Sequence, residues 1–185
     1  LRRAGSWSAI DTPTLLCYLT PMVSARPSLV SGNIAACRLK IDAASQGRVA
    51  SALPVILVAV AKGVEAGRLH EAIDAGLTHL GENKIQEARE RRASIDRYAV
   101  ARGARLTWHF IGHLQSNKVK TAVEMFDVIH SVDTLRIASL IDKEAARLGK
   151  IQEILLEVNV SGEASKHGFK PDDVAGAVRG INALG

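Results

Sequence analysis

The chain has 185 residues, of which 47% are hydrophobic and 4% aromatic, with a formal net charge of +5. That length suits one domain with a sizeable core, and so few aromatic residues require an aliphatic core. No apolar run approaches the roughly 20 residues of a membrane span. The two cysteines, Cys17 and Cys37, form no CxxC pair, which argues against a disulfide framework or a zinc site. The basic residues Lys84, Arg89, Arg91, Arg92, Arg97, Arg102 and Arg105 are interspersed with Glu87, Glu90 and Asp96. That pattern reads as a solvated helix face, so neither nucleic acid nor a membrane is the expected partner.

Residues 1–30 hold Pro13, Pro21 and Pro27 and no sustained period, so an irregular segment is expected there. Arg2, Arg3 and Arg26 outnumber Asp11, yet the prolines and the missing amphipathic period argue against a mitochondrial leader; a cytoplasmic location is the default. From residue 31 to 185 a single α/β domain is expected. Val30, Ile34, Cys37, Ile41 and Ala44 recur at helical spacing. The wholly apolar run Pro54–Ala61 reads as a strand buried on both faces, ending at Lys62. A helix follows over Glu65–Ala75, with Gly76 as its stop. A short strand at Leu77–Leu80 leads to Gly81-Glu82-Asn83, and a less regularly patterned helix spans Asn83–Tyr98.

Leu106–Ile111 is the third expected strand, followed by a helix with Val119, Ala122, Val123 and Phe126 on one face. Val128–Val132 is the fourth, and Asp133 is expected to cap the next helix, which ends at Gly149. Ile154–Val160 is the fifth, and a last helix opens at Pro171. Strand and helix thus alternate five times, which implies right-handed βαβ units and a parallel sheet. An open doubly wound sheet and part of an eight-fold barrel both fit. No GxGxxG follows the first strand, which weakens dinucleotide binding.

Chemistry-bearing residues gather where the strands end: Lys62; Gly81-Glu82-Asn83; His109, His113, Gln115 and Asn117; His130 and Asp133; Asn159, Ser161, Lys166 and His167. The mouth of a barrel carries such a rim. A lysine in low dielectric there favours its neutral form, and a neutral amine can attack an aldehyde. His109, inside a strand, is expected to be a hydrogen-bonded core histidine. His113, His130 and His167 show no ligand spacing, so no metal site is expected. Asn83 suits a helix cap and a cofactor contact equally, and Lys166 reads as a loop charge.

Ala59-Val60-Ala61-Lys62, Gly81-Glu82-Asn83 with Gln86-Glu87, Trp108-His109-Phe110-Ile111-Gly112 with Leu114-Gln115-Ser116-Asn117-Lys118, and Asn159-Val160-Ser161 with Glu163, Lys166 and Gly168 occur in one order. Together they resemble the YggS/PROSC family of pyridoxal 5′-phosphate homeostasis proteins over Ser31–Gly185. The resemblance implies a TIM-like (β/α)8 barrel similar to the alanine racemase N-terminal domain, of which about the first five β/α units are present as an incomplete barrel. It also implies pyridoxal 5′-phosphate held as a Schiff base on Lys62, with Asn83 near the cofactor and Lys166 assisting from the fifth loop. The expected role is carrying or buffering the cofactor in vitamin B6 and amino-acid homeostasis, with cofactor-dependent apoenzymes as candidate acceptors and no catalytic residue.

Two departures from the family pattern bear on that reading. Ala61, Gly63, Val64 and Glu65 replace the residues the family usually places around the lysine, so a neighbouring lysine charge is lost. The last three strands, which hold the cofactor phosphate in the family, are absent, so the sequence reads as a fragment. The rival expectation is a cofactor-dependent amino-acid racemase, which needs a second acid/base on the opposite cofactor face.

Overall fold

The computed structural model describes residues 28–47, 53–163 and 165–184. The expected irregular segment lies outside the described residues as far as residue 27; Ser28 caps the first helix, and Leu29 and Val30 already belong to it. Five strands pair in parallel in the order β1-β2-β3-β4-β5. They are β1 (Ala59–Val60), β2 (His79–Glu82), β3 (Thr107–Phe110), β4 (Val128–Val132) and β5 (Glu153–Leu156). Helix α1 (Leu29–Ser45) precedes them, and α2 (Ala66–Asp74), α3 (Ile85–Val100), α4 (Val119–Met125), α5 (Leu135–Arg147) and α6 (Val174–Asn182) follow each strand in turn. Sequential order with one helix per crossover is the arrangement of an incomplete (β/α) barrel, not of a doubly wound sheet, whose order reverses at a switch point.

The core lies between the sheet and its helices. Leu80, Trp108 and Ile129 on the strands meet Leu69 and Ile73 of α2, Ala88 and Ile95 of α3, Val123 of α4 and Ile141 of α5. Alternation along β3 fixes which face is which. Trp108 Nε1 donates to Asp96 of α3 at 2.8 Å, and Phe110 packs on Phe126 with ring centroids 5.1 Å apart. Both therefore point to the helical layer, and His109 points to the opposite, concave face.

The first strand is much shorter than its apolar run. Only Ala59 and Val60 pair, with Leu80 and Gly81; Val58, opposite His79, is outside the ladder, and Leu57 and the residues before it overhang the start of this edge pairing. Nor is β1 buried on both faces, since Val60 is 54% exposed on the concave side. The fifth strand also stops early, at Leu156, although Glu157 N still donates to Val132 O at 2.9 Å. Asp133 is not a cap: Thr134 takes that position, and its hydroxyl accepts from Ile137 N at 3.3 Å. Among the described residues no helix is long and apolar enough to cross a membrane.

Candidate functional site

Lys62 stands two residues beyond Val60, the last paired position of β1. Ala61 N donates to Gly81 O at 2.9 Å, so the sheet ladder runs right up to it, and Val64 N closes the turn onto Ala61 O at 3.0 Å. Gly63 adopts φ 66°, a left-handed conformation that threonine or another side chain would strain. The turn is pinned from α3. Arg91 Nη1 donates to Ala61 O at 2.7 Å and to Val64 O at 3.1 Å, bracketing the lysine. Arg91, 27 residues beyond position 64, thus brings a guanidinium to the turn where the expected second lysine is absent. Lys62 itself is exposed, not in the low-dielectric setting that a doubly buried strand implied, because the concave face beside it is uncovered.

Arg91 differs from a solvated helix residue. It lies between Ala88 and Ile95, on the buried stripe of α3, and its charge answers Glu82 at 3.5 Å. Glu82 is fully buried and neither carboxylate oxygen makes a hydrogen bond. Burial pushes its carboxyl above the usual range, the Arg91 charge opposes that, and Glu87 adds to it. The available signal was an arginine interrupting an apolar stripe; the position of its partner needed the fold.

Asn83 follows β2 directly. It does not cap α3, since Lys84 holds the cap position without a side-chain bond. Its Oδ1 is shielded from solvent and has no hydrogen-bond partner. Gly112, in the loop after β3, comes so close that a Cβ there would lie 2.2 Å from the Asn83 carbonyl oxygen. Lys62 and Asn83 thus sit at the ends of adjacent strands. Lys166 does not join them. It lies in the loop after β5, at the opposite edge of the sheet, with Nζ 2.6 Å from Glu163 Oε1.

The concave face carries a histidine row across three strands. His79 Nδ1 lies 2.9 Å from His109 Nε2, and His109 Nδ1 lies 2.9 Å from His130 Nε2. His109 is the hydrogen-bonded core histidine expected, 4% exposed. Burial, then the charges that His130 and His79 would carry, push it down to about 4 against the opposing pull of Asp127. A neutral His109 can donate to one neighbour and accept from the other, so the row is satisfied without taking up a proton.

The profile of the family described as "Alanine racemase, N-terminal domain" matches residues 40–185. A protein of Pseudomonas aeruginosa named "Pyridoxal phosphate homeostasis protein" is 37% identical over 157 residues, covering 85% of this chain and 66% of that protein. Its namesake in Escherichia coli K12 is 39% identical over 159 residues, covering 84% and 66%. The solved structure of PipY of Synechococcus elongatus with PLP bound superposes with a TM-score of 0.66 at 32% identity, covering 84% of this chain and 65% of that one. The chain thus spans about two thirds of the length of these relatives. With five sequential β/α units and a match over most of its length, the chain belongs to the family of the alanine racemase N-terminal domain, among relatives named pyridoxal phosphate homeostasis proteins.

Proposed function

We propose that this chain binds pyridoxal 5′-phosphate as a carrier or buffer, with Lys62 as the covalent attachment point, and turns over no substrate. The observation that carries the reading is the held turn: an exposed primary amine at the carboxyl end of a strand, bracketed by the Arg91 hydrogen bonds at 2.7 and 3.1 Å. Beside it the unpartnered Asn83 Oδ1 fits a polar ligand, because an unmet buried acceptor costs about 1–3 kcal/mol that a donor recovers. The names of the relatives and the cofactor in the PipY structure support the same reading.

When bound, the cofactor supplies an electrophilic aldehyde and a phosphate. Lys62 would hold the group covalently, its Nζ forming the bond to the aldehyde carbon with loss of water. Asn83 accepts a hydrogen bond. Lys166, paired with Glu163 at the other edge of the sheet, would serve only an anionic group that reaches across the concave face. Arg91 keeps the lysine turn in one conformation. Cofactor-dependent apoenzymes in the cytoplasm are the acceptors this role implies, which ties it to vitamin B6 and amino-acid balance.

The test is a visible-absorbance titration with pyridoxal phosphate, then borohydride reduction and peptide mapping, with Lys62→Ala in parallel. Saturable absorbance with the label on Lys62, lost in the variant, is expected. Label spread over many lysines overturns the site. Amino-acid racemisation that depends on Lys62 overturns the non-catalytic role.

A further inference from the structure

We propose that His113, Asp133 and His167 form a binding site for one divalent transition-metal ion of the zinc class at the carboxyl rim of the sheet. The three residues come from three successive loops, after β3, β4 and β5, and one ligand atom from each lies within 4.8 Å of the others. Their separations of 20 and 34 residues match no ligand motif, which is why sequence spacing argued against a metal. The fold supplies what the spacing lacks.

Both imidazoles address the same carboxylate oxygen. His113 Nδ1 is 3.6 Å and His167 Nδ1 is 3.9 Å from Asp133 Oδ2, and the two rings stack with centroids 3.8 Å apart and planes 16° from parallel. Metal–ligand bonds of about 2.0–2.2 Å in a tetrahedral set place donor atoms roughly 3.3 Å from one another. The two nitrogens lie roughly 0.3 and 0.6 Å beyond that spacing from Asp133 Oδ2, and the half-exposed rings must turn out of their stack so that each plane contains the ion. Two imidazole nitrogens and one carboxylate oxygen are a borderline donor set, suited to zinc, cobalt or nickel. Magnesium and calcium prefer oxygen alone.

The anchors are fixed before any ion arrives. The Asp133 side chain is only 10% exposed, and its other oxygen, Oδ1, accepts from Thr134 Oγ1 at 3.3 Å, which leaves Oδ2 for the histidines. The loop bearing His167 is organised by Asn159. Its Nδ2 donates to Glu163 O at 2.9 Å and Lys166 O at 3.3 Å, and its Oδ1 accepts from Gly162 N at 3.0 Å. The loop is tied down on its far side too, where Phe169 N donates to Glu157 O at 2.8 Å. The Thr134 bond orients the Asp133 carboxylate directly, as outer-shell partners of metal ligands do, while the Asn159 bonds hold the backbone that carries His167. A cleft of ≈ 480 Å³, lined by His113, Gln115, Asn117, Asp133 and Arg136, opens beside the triad. A three-ligand ion there keeps an open position, with room for water or a small anion and Arg136 at hand.

The test uses chelator-treated protein in which Cys17 and Cys37 are changed to serine, so that no thiol competes. Calorimetric titration with zinc near neutral pH is expected to give one ion per chain. His113→Ala and His167→Ala are each expected to weaken it at least tenfold, and the double variant to abolish it. Cobalt substitution is expected to give visible d–d bands that Asp133→Asn alters. His70→Ala, whose ring stacks on Tyr98 in α3, leaves binding unchanged. Lys62→Ala also leaves it unchanged, so the result stands apart from the cofactor reading. Undiminished zinc binding in the double histidine variant, or no stoichiometric binding in the parent, overturns the proposal.

Discussion

Arg91 Nη1 donates to the carbonyl of Ala61 at 2.7 Å, so the residue before Lys62 is held by a helix that follows the next strand. The same guanidinium faces Glu82 at 3.5 Å, joining the lysine turn, the end of β2 and α3 in one polar knot. Arg91→Met removes two hydrogen bonds and the ion pairs with Glu82 and Glu87, and leaves Glu82 buried without a counter-charge. Breaking a fully buried pair costs about 3–5 kcal/mol. Arg91 is partly exposed, so a loss of roughly 2–3 kcal/mol is expected in denaturant melts. Arg91→Lys is expected to recover part of that, and to recover labelling of Lys62 that Arg91→Met slows. Unchanged stability in Arg91→Met would show that the knot is not energetically coupled.

Glu82 gives stability a pH dependence of unusual sign for a carboxylate. Its folded-state carboxyl is raised above the ordinary 4.5, chiefly by burial. Between that value and the folded one, the native state binds more protons than the unfolded state. Glu82 thus favours folding while protonated, and its contribution declines as pH rises through the folded value. Glu82→Gln in the Arg91→Met background is expected to remove the slope just above pH 4.5 and to regain stability near neutrality. A steeper slope in that double variant would rule out Glu82 as its source.

His109 works in the other direction. With its folded-state value near 4 against an ordinary 6.5, the native state holds the neutral ring. Stability from this residue is complete above about pH 6.5 and is lost as pH falls toward 4, by up to about 3 kcal/mol for a shift of this size. Proton NMR of the His109 ring is the check. A midpoint near 6.5 would mean that the row His79–His109–His130 accepts a proton freely.

The alternation of five strands with five helices was legible in the sequence because most of the helices bury one apolar stripe, α3 being the less regular one, and each crossover is short. Strand ends were less legible. Pro54–Ala61 is apolar throughout, yet only two residues pair, because pairing depends on where β2 begins and not on β1's own composition. Caps drifted by one residue for a similar reason: Asp133 and Thr134 are both competent, and the turn geometry chooses Thr134. Lys62 and Asn83 could be placed at adjacent strand ends from motif order alone. The roles of Arg91 and of the His113–His167 pair could not, since both arise from groups brought together across different β/α units.

Two glycines separate close approach from backbone freedom. At Gly112 the obstacle is space: a Cβ would meet the Asn83 carbonyl oxygen at 2.2 Å and its carbonyl carbon at 2.9 Å. Backbone cannot yield as a flexible side chain can, so Gly112→Ala must push the loops after β2 and β3 apart. A loss of about 3 kcal/mol or more is expected, the upper range for overpacking. At Gly63 nothing lies within 4 Å of an added Cβ, and only φ 66° opposes it. Gly63→Ala is expected to cost about 1–2 kcal/mol, the penalty for one left-handed alanine. The two variants also differ in function. Gly112→Ala displaces Asn83 and is expected to weaken pyridoxal phosphate binding while leaving Lys62 chemically accessible. Gly63→Ala acts on the lysine turn itself and is expected to slow attachment at Lys62. Equal effects of the two on stability and on labelling would show that the loops after β1 and β3 move as one unit.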